Sequence, residues 1–227
     1  PAQQTLTDKQ WYQGPADAVR QNLHFIAEQD VPYVLVLSGD QLYRMDFRAL
    51  LETHVESGAD ATISCLTVGE ADATELGVVR ANPAGRILDF HEKPVDSQLG
   101  PELHLPSDVA REHWNRPPEP PYLASMGIYL FDTPALIEAL ESNPGCDDFG
   151  AGIIPRCVRS MHLQAHYFDG YWEDIGTIQS FHRANLALVH PNSHFDFYRQ
   201  RAPVYTHPRF LPPPRVHDCQ VKGSLIG

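Results

Sequence analysis

Asp40 stands directly after Val31-Pro-Tyr-Val-Leu-Val-Leu-Ser-Gly39, an apolar run rich in Val and Leu that is bounded by Pro and Gly. Such a run reads as a buried strand, and a carboxylate just beyond it lies at the carboxyl edge of a sheet, where open α/β folds bind ligands. Gly39 allows close approach to the backbone. The plain alternative for Asp40 is a helix cap. A second carboxylate pair lies in Gly170-Tyr-Trp-Glu173-Asp174-Ile-Gly-Thr177, whose plain alternative is a turn plus a cap. Two single carboxylates on separate loops suit Mg²⁺, which takes oxygen ligands and keeps waters and substrate phosphates for the rest of its shell. Glu92-Lys93-Pro94 follows a short strand. As a surface ion pair it would do little, whereas as a site Lys93 is a point charge for a phosphate and Glu92 an acceptor for hydroxyls. His162 and His166 alternate as on a strand, have no third ligand nearby, and read as structural.

These groups need a scaffold. Ala16–Gln29 has helical spacing, and Val31–Leu37 is the strand before Asp40. Phe47–Ser57 is helical and Ala61–Val68 is a second buried strand. Helix, strand, helix, strand predicts an α/β domain with a mixed, mainly parallel sheet of Rossmann-like type. Leu76–Ala81 and Ile87–His91 form a hairpin around Asn82-Pro-Ala-Gly85. Residues 93–121 read as a long proline-rich excursion or flap. Ser125–Phe131 is a strand, Thr133–Glu141 a helix with Thr133 at the N-cap and Pro134 at N1, and Phe149–Ser160 a helix weakened by Pro155. A strand over His162–Tyr167 and a helix over Ile178–Val189 follow.

The chain has 227 residues and a formal net charge of −12, with no basic stretch that could track a phosphate backbone, so a nucleic-acid or anionic-membrane binder is a poor reading. No apolar run reaches the length of a membrane span. Four separated cysteines without a C-x-x-C pair read as reduced thiols in a cytoplasmic protein. Prolines recur between 191 and 214, which reads as a linker. Beyond it, Val216, Val221 and Ile226 are spaced like the first coil of a parallel β-helix over 215–227. The opening Pro1-Ala-Gln-Gln4 and the close at Gly227 read as cut ends of a longer protein.

Taken in order, Trp11-Tyr-Gln-Gly-Pro-Ala-Asp-Ala-Val19, Ser38-Gly-Asp-Gln-Leu-Tyr43, Phe90-His-Glu-Lys-Pro94, Ser125-Met-Gly-Ile-Tyr129, Asp148-Phe-Gly150 and Tyr171-Trp-Glu-Asp-Ile-Gly-Thr177 resemble the glucose-1-phosphate adenylyltransferases, or ADP-glucose pyrophosphorylases. Single motifs of the set are shared among sugar-nucleotide pyrophosphorylases. The first and fourth point to the ADP-glucose branch. The resemblance implies a nucleotidyltransferase domain over 1–190, the linker, and the start of a left-handed β-helix. It implies AMP transfer from ATP to glucose 1-phosphate with release of pyrophosphate, for glycogen or starch synthesis, using Mg²⁺ on Asp40 and Asp174. Tyr12, Gly14 and Ala16 would contact adenine, and Lys93 would grip the sugar phosphate. Gly77, Glu92, Ser125, Tyr129, Asp148, Phe149 and Trp172 would line the glucose pocket. It further implies a small-molecule allosteric effector and a homotetramer at full length; with no transit peptide visible, a bacterial cytoplasm is expected rather than a plastid.

Two departures stand out. Pro15 replaces the usual Thr and removes an N–H from the nucleotide loop. The family's N-terminal strand and Gly-rich, Arg-containing phosphate loop have no counterpart here, so the segment alone is expected to be weakly active or inactive and its sheet to lack a central strand. The alternatives are a non-catalytic regulatory subunit of the same fold that binds sugar phosphates, and a related pyrophosphorylase with another base or sugar.

Overall fold

A computed structural model describes residues 11–115, 117–190, 193, 195, 197, 203–205 and 217–224. In chain order the elements are α1 (Pro15–Gln21), α2 (Leu23–Glu28), β1 (Tyr33–Val36), β2 (Gln41–Tyr43), α3 (Phe47–Ser57), β3 (Ala61–Val68), α4 (Glu70–Ala73), β4 (Gly77–Ala81) and β5 (Ile87–Glu92). They continue with α5 (Ser107–His113), β6 (Tyr122–Asp132), α6 (Thr133–Glu141), α7 (Ile154–Ser160), β7 (Leu163–Tyr167), β8 (Trp172–Asp174) and α8 (Ile178–Val189). The chain divides into two units. Residues 39–45 and 170–227 make the second, and the remainder the first.

In the first unit a six-stranded sheet runs β5-β4-β6-β3-β7, with β1 also paired to β6. β6 is antiparallel to β1, β3 and β4, and β7 is parallel to β3. Four strands (β1, β3, β4, β7) therefore point one way and two the other, because β6 threads between neighbours that share a direction. A mixed sheet in an α/β domain is the architecture expected.

β3 has β6 on one edge and β7 on the other, and Ala61–Cys65 are all buried. This is why its sequence is a nearly unbroken apolar run. β1 differs from expectation. Instead of being buried on both faces it is only partly buried along its length, and Leu37 just beyond is 45% exposed. Its partner among the described residues is β6.

Several local expectations are adjusted. The first helix breaks in two at Asn22, whose amide bonds back to the Val19 carbonyl. At α6 the N-cap is Asp132, and the Thr133 hydroxyl donates instead to the Val31 carbonyl at 2.6 Å. Pro155 lies in the first turn of α7, where a missing N–H is harmless, and the preceding Phe149–Ile153 is a π turn.

The 93–121 excursion is not a free flap. Leu99, Leu103 and Leu105 are buried. The Tyr122 hydroxyl donates to the Leu99 carbonyl, and the Trp114 indole N–H donates to the Phe168 carbonyl at 2.9 Å. His166 shares a 2.8 Å hydrogen bond with Thr53, in line with a structural role.

In the second unit β2 and β8 form an antiparallel ribbon followed by α8. Most of the linker and the ends of the expected β-helix coil, including Val216 and Ile226, lie outside the described residues, and residues 217–224 form neither helix nor strand. Among the described residues no helix is long and apolar enough to cross a membrane.

Candidate active site

The second unit holds both candidate metal carboxylates. Gln41 on β2 stands opposite Asp174 on β8, so Asp40 and Asp174 meet at one end of the ribbon. The Asp40 carbonyl accepts the Ile175 N–H at 3.0 Å and Asp174 Oδ1 accepts the Gly176 N–H at 2.7 Å. A Cβ placed on Gly176 would lie 3.0 Å from Asp174 Oδ1 and 3.5 Å from Asp40 Oδ2. Both carboxylates thus face the same stretch of bare backbone, and both are exposed.

The acidic pair Glu173-Asp174 is split by strand alternation. Glu173 turns to Arg183, 2.8 Å from its Nε, while Asp174 turns to Asp40. Trp172, expected at the sugar, donates its indole N–H to Gln41 Oε1 at 3.2 Å.

Two hard oxygen donors beside a residue without a side chain fit Mg²⁺. No group of three or more His, Cys, Asp or Glu that could hold a metal occurs among the described residues, so an ion here would take its other ligands from water and substrate.

The first unit assembles most of the expected sugar-pocket residues. Glu92 ends β5 opposite Gly77 on β4. A Cβ on Gly77 would come 2.9 Å from Glu92 Oε2, and one on Gly150 would come 2.5 Å from the same atom. The carboxylate is therefore lodged against two glycine backbones; a methyl group on Gly150 would displace it, and one on Gly77 would meet the Phe90 ring first, at 2.4 Å. Burial, then the charge of Asp148, raise the Glu92 pKa, and Lys93 acts in the opposite sense. Asp148 is exposed. Its carboxylate accepts the Ala151 N–H at 2.7 Å and so caps the π turn.

Tyr129 is buried, and burial pushes its phenol well above the usual range, while a hydrogen bond with Ser125 works the other way. Glu92 and Asp148 lie close enough to add to the rise. The Phe149 ring is 5.7 Å from that of Tyr129. Ser125 and Tyr129 are brought together by a bulge in β6. Ile63 pairs with Tyr129 but Cys65 with Ser125, so β6 carries two extra residues there. Gly127 sits in the bulge with φ +68°, and its N–H donates to Ser125 Oγ at 3.2 Å.

Lys93 is exposed, with φ +43°, and its N–H donates to the Leu76 carbonyl at 3.1 Å. A left-handed backbone at a lysine is uncommon and turns the chain sharply out of β5.

The expected nucleobase segment also lies in the first unit. The Tyr12 hydroxyl accepts from Asn22 at 2.9 Å. The Asp147 carbonyl occupies the space a Cβ would need on Gly14, and it accepts the Ala16 N–H at 2.9 Å. The Ala16 side chain is wholly buried and packs inward. Pro15 sits at the start of α1, where its missing N–H breaks no helical bond. The departure at this position therefore leaves α1 intact.

Sequence reasoning did not nominate Gly127, Gly150, Gly176 or Arg20 as site residues. The glycines lay inside quoted motifs, but the need for them appears only in the fold: Gly150 and Gly176 face carboxylates, and Gly127 takes a left-handed backbone in the β6 bulge.

The nucleotidyl transferase family model matches residues 1–190, which takes in both carboxylates of the ribbon and the whole Glu92–Tyr129–Asp148 group. The chain is therefore a member of the nucleotidyl transferase family and carries a nucleotidyl-transferring domain that acts on sugar phosphates.

Proposed function

We propose that the protein transfers AMP from ATP to glucose 1-phosphate, giving ADP-glucose and pyrophosphate. The observation that carries this reading is the seating of Glu92 against Gly77 and Gly150, with Asp148 and the Ser125–Tyr129 pair beside it. Carboxylate acceptors next to a hydroxyl pair, on a partly desolvated surface, suit a ligand rich in hydroxyl groups.

A phosphate oxygen of the sugar phosphate forms a bond to the α-phosphorus of ATP. The bond from that phosphorus to the bridging oxygen breaks, and pyrophosphate leaves with the electron pair. The attacking oxygen is already anionic, so no side chain need remove a proton. The work is orientation and relief of repulsion between anions. Lys93 holds the sugar phosphate, Glu92 accepts from ring hydroxyls, and Tyr129 with Ser125 orients the ring. Asp40 and Asp174 are the residues that would hold Mg²⁺, which when bound offsets charge on the phosphates. Tyr12 and Gly14 form the surface for the base.

Pyrophosphate release by the full-length protein, with Mg²⁺, ATP and glucose 1-phosphate, tests this beside Asp40→Asn. Turnover in the parent that falls on the order of a hundredfold or more in the variant is the expected result. Turnover only with another nucleotide or sugar phosphate replaces the specificity. Saturable sugar-phosphate binding without turnover moves the protein to a regulatory role.

A further inference from the structure

Arg20 lies on α1, and its side chain is only 16% exposed. Its Nε donates to the Leu140 carbonyl at 3.1 Å, and its Nη2 donates to the carbonyls of Asn143 at 3.1 Å and Cys146 at 2.5 Å. Its Nη1 is 3.4 Å from Asp17 Oδ1 and 3.9 Å from Asp147 Oδ1. One guanidinium therefore ties the end of α6 and the loop after it to α1.

Both tied segments carry site residues. Gly14 is the N-cap of α1 and Ala16 lies in its first turn, and Asp17 Oδ2 accepts the Gln13 N–H at 3.0 Å. The loop holds Asp147, whose carbonyl accepts the Ala16 N–H, and next to it Asp148, whose charge bears on Glu92. A planar fork with several donors can satisfy three carbonyls in fixed directions, which an ammonium on a flexible stem cannot.

We propose that Arg20 is a positioning residue that holds the nucleobase segment and the Asp148 side of the sugar pocket in one register. Its assignment to substrate binding rests on the functional reading above. Its effect on the loop does not.

The test compares the full-length protein with Arg20→Met and Arg20→Lys, by site-resolved hydrogen exchange and by steady-state kinetics. The amides of Ala16 and Ala151, which bond to Asp147 and Asp148, are expected to exchange roughly 10- to 100-fold faster in Arg20→Met while β3 amides keep their rates, the range given by losing one or two charge-assisted hydrogen bonds. KM for ATP and for glucose 1-phosphate should rise together, with a smaller change in kcat and no rescue by Lys. Unchanged exchange at Ala16 and Ala151, or uniform acceleration across the chain with both KM values unaltered, overturns the proposal. If Arg20→Met does not fold, Arg20→Lys, which keeps the charge and the stem but not the planar fork, gives the same readout at Ala16 and Ala151. If the parent turns over no nucleotide with any sugar phosphate, the functional reading falls, and exchange at Ala16 and Ala151 still decides whether Arg20 positions the loop.

Discussion

The two units place their polar groups in opposite ways. In the first, Glu92 and Tyr129 are taken partly or wholly out of water, packed against glycines and a phenylalanine, and shifted in pKa as a result. In the second, Asp40 and Asp174 stay exposed on a three-residue ribbon. A binding surface for a neutral polyol must be shaped before the ligand arrives, because its hydrogen bonds are individually weak in water. A pair of carboxylates for a hydrated cation can remain solvated, since the cation and its phosphates bring the remaining ligands. On the proposed reading, pre-organisation is thus concentrated at the hydroxyl-bearing ring of the ligand and not at its phosphates.

The contrast can be broken experimentally. Asp40→Asn should strike turnover hardest and leave the unfolding temperature unchanged. Gly150→Ala should affect both, because the new methyl meets the Glu92 carboxylate. We expect about 1–3 kcal/mol of lost stability, read by denaturant unfolding, and about a tenfold or greater rise in KM for glucose 1-phosphate. Normal KM in Gly150→Ala would mean that the Glu92 position does not matter to the sugar.

Glu92 supplies the next test. Its pKa is raised in the folded chain, so over the window from the ordinary glutamate value up to the folded value the folded chain keeps a proton that the unfolded chain has lost. Stability is greatest below that window and declines as pH rises through it. KM for the sugar phosphate should fall over the same window, as the carboxylate becomes a full acceptor. Glu92→Gln should flatten both profiles, which parallel unfolding and kinetic series against pH would show.

The smallest effect is expected in the second unit at Thr177, whose Oγ1 accepts the Ser180 N–H at 3.0 Å and caps α8. Thr177→Ala should cost about 1 kcal/mol and speed amide exchange in the first turn of α8, with the first unit unaffected.

Much of this was legible in the residues. Periodicity gave the helices over Phe47–Ser57 and Ile178–Val189 and the strand over Ala61–Val68 within a residue or so. The order of motifs pointed to a sugar-nucleotide pyrophosphorylase, and the nucleotidyl transferase family is the part of that reading the family model matches. Asp40 was nominated because it follows a predicted strand and Asp174 because it belongs to an acidic pair flanked by aromatics ahead of a helix; the short strands β2 and β8 whose pairing brings the two together were not expected. What remained hidden depends on contacts distant in sequence. Burial of β1 could not be read from its composition, because an apolar strand reads the same with one paired edge or two. The need for glycine at 150 arises from Glu92, nearly sixty residues earlier. Nothing in the sequence around Arg20 singles it out, because its three carbonyl partners lie more than a hundred residues away.

The central position of β6 also governs the order in which the chain can assemble. β1, β3 and β4 all pair with it, yet it is made only after residue 121. Among the described residues the β4–β5 hairpin is the one sheet pairing that can close from neighbouring sequence during synthesis. β1 must wait for a partner about a hundred residues downstream. Folding of the first unit is therefore expected to be slow and late, with apolar strands open to other chains in the interval, and a ribosome stalled before residue 132 would leave most of the sheet without its organising strand.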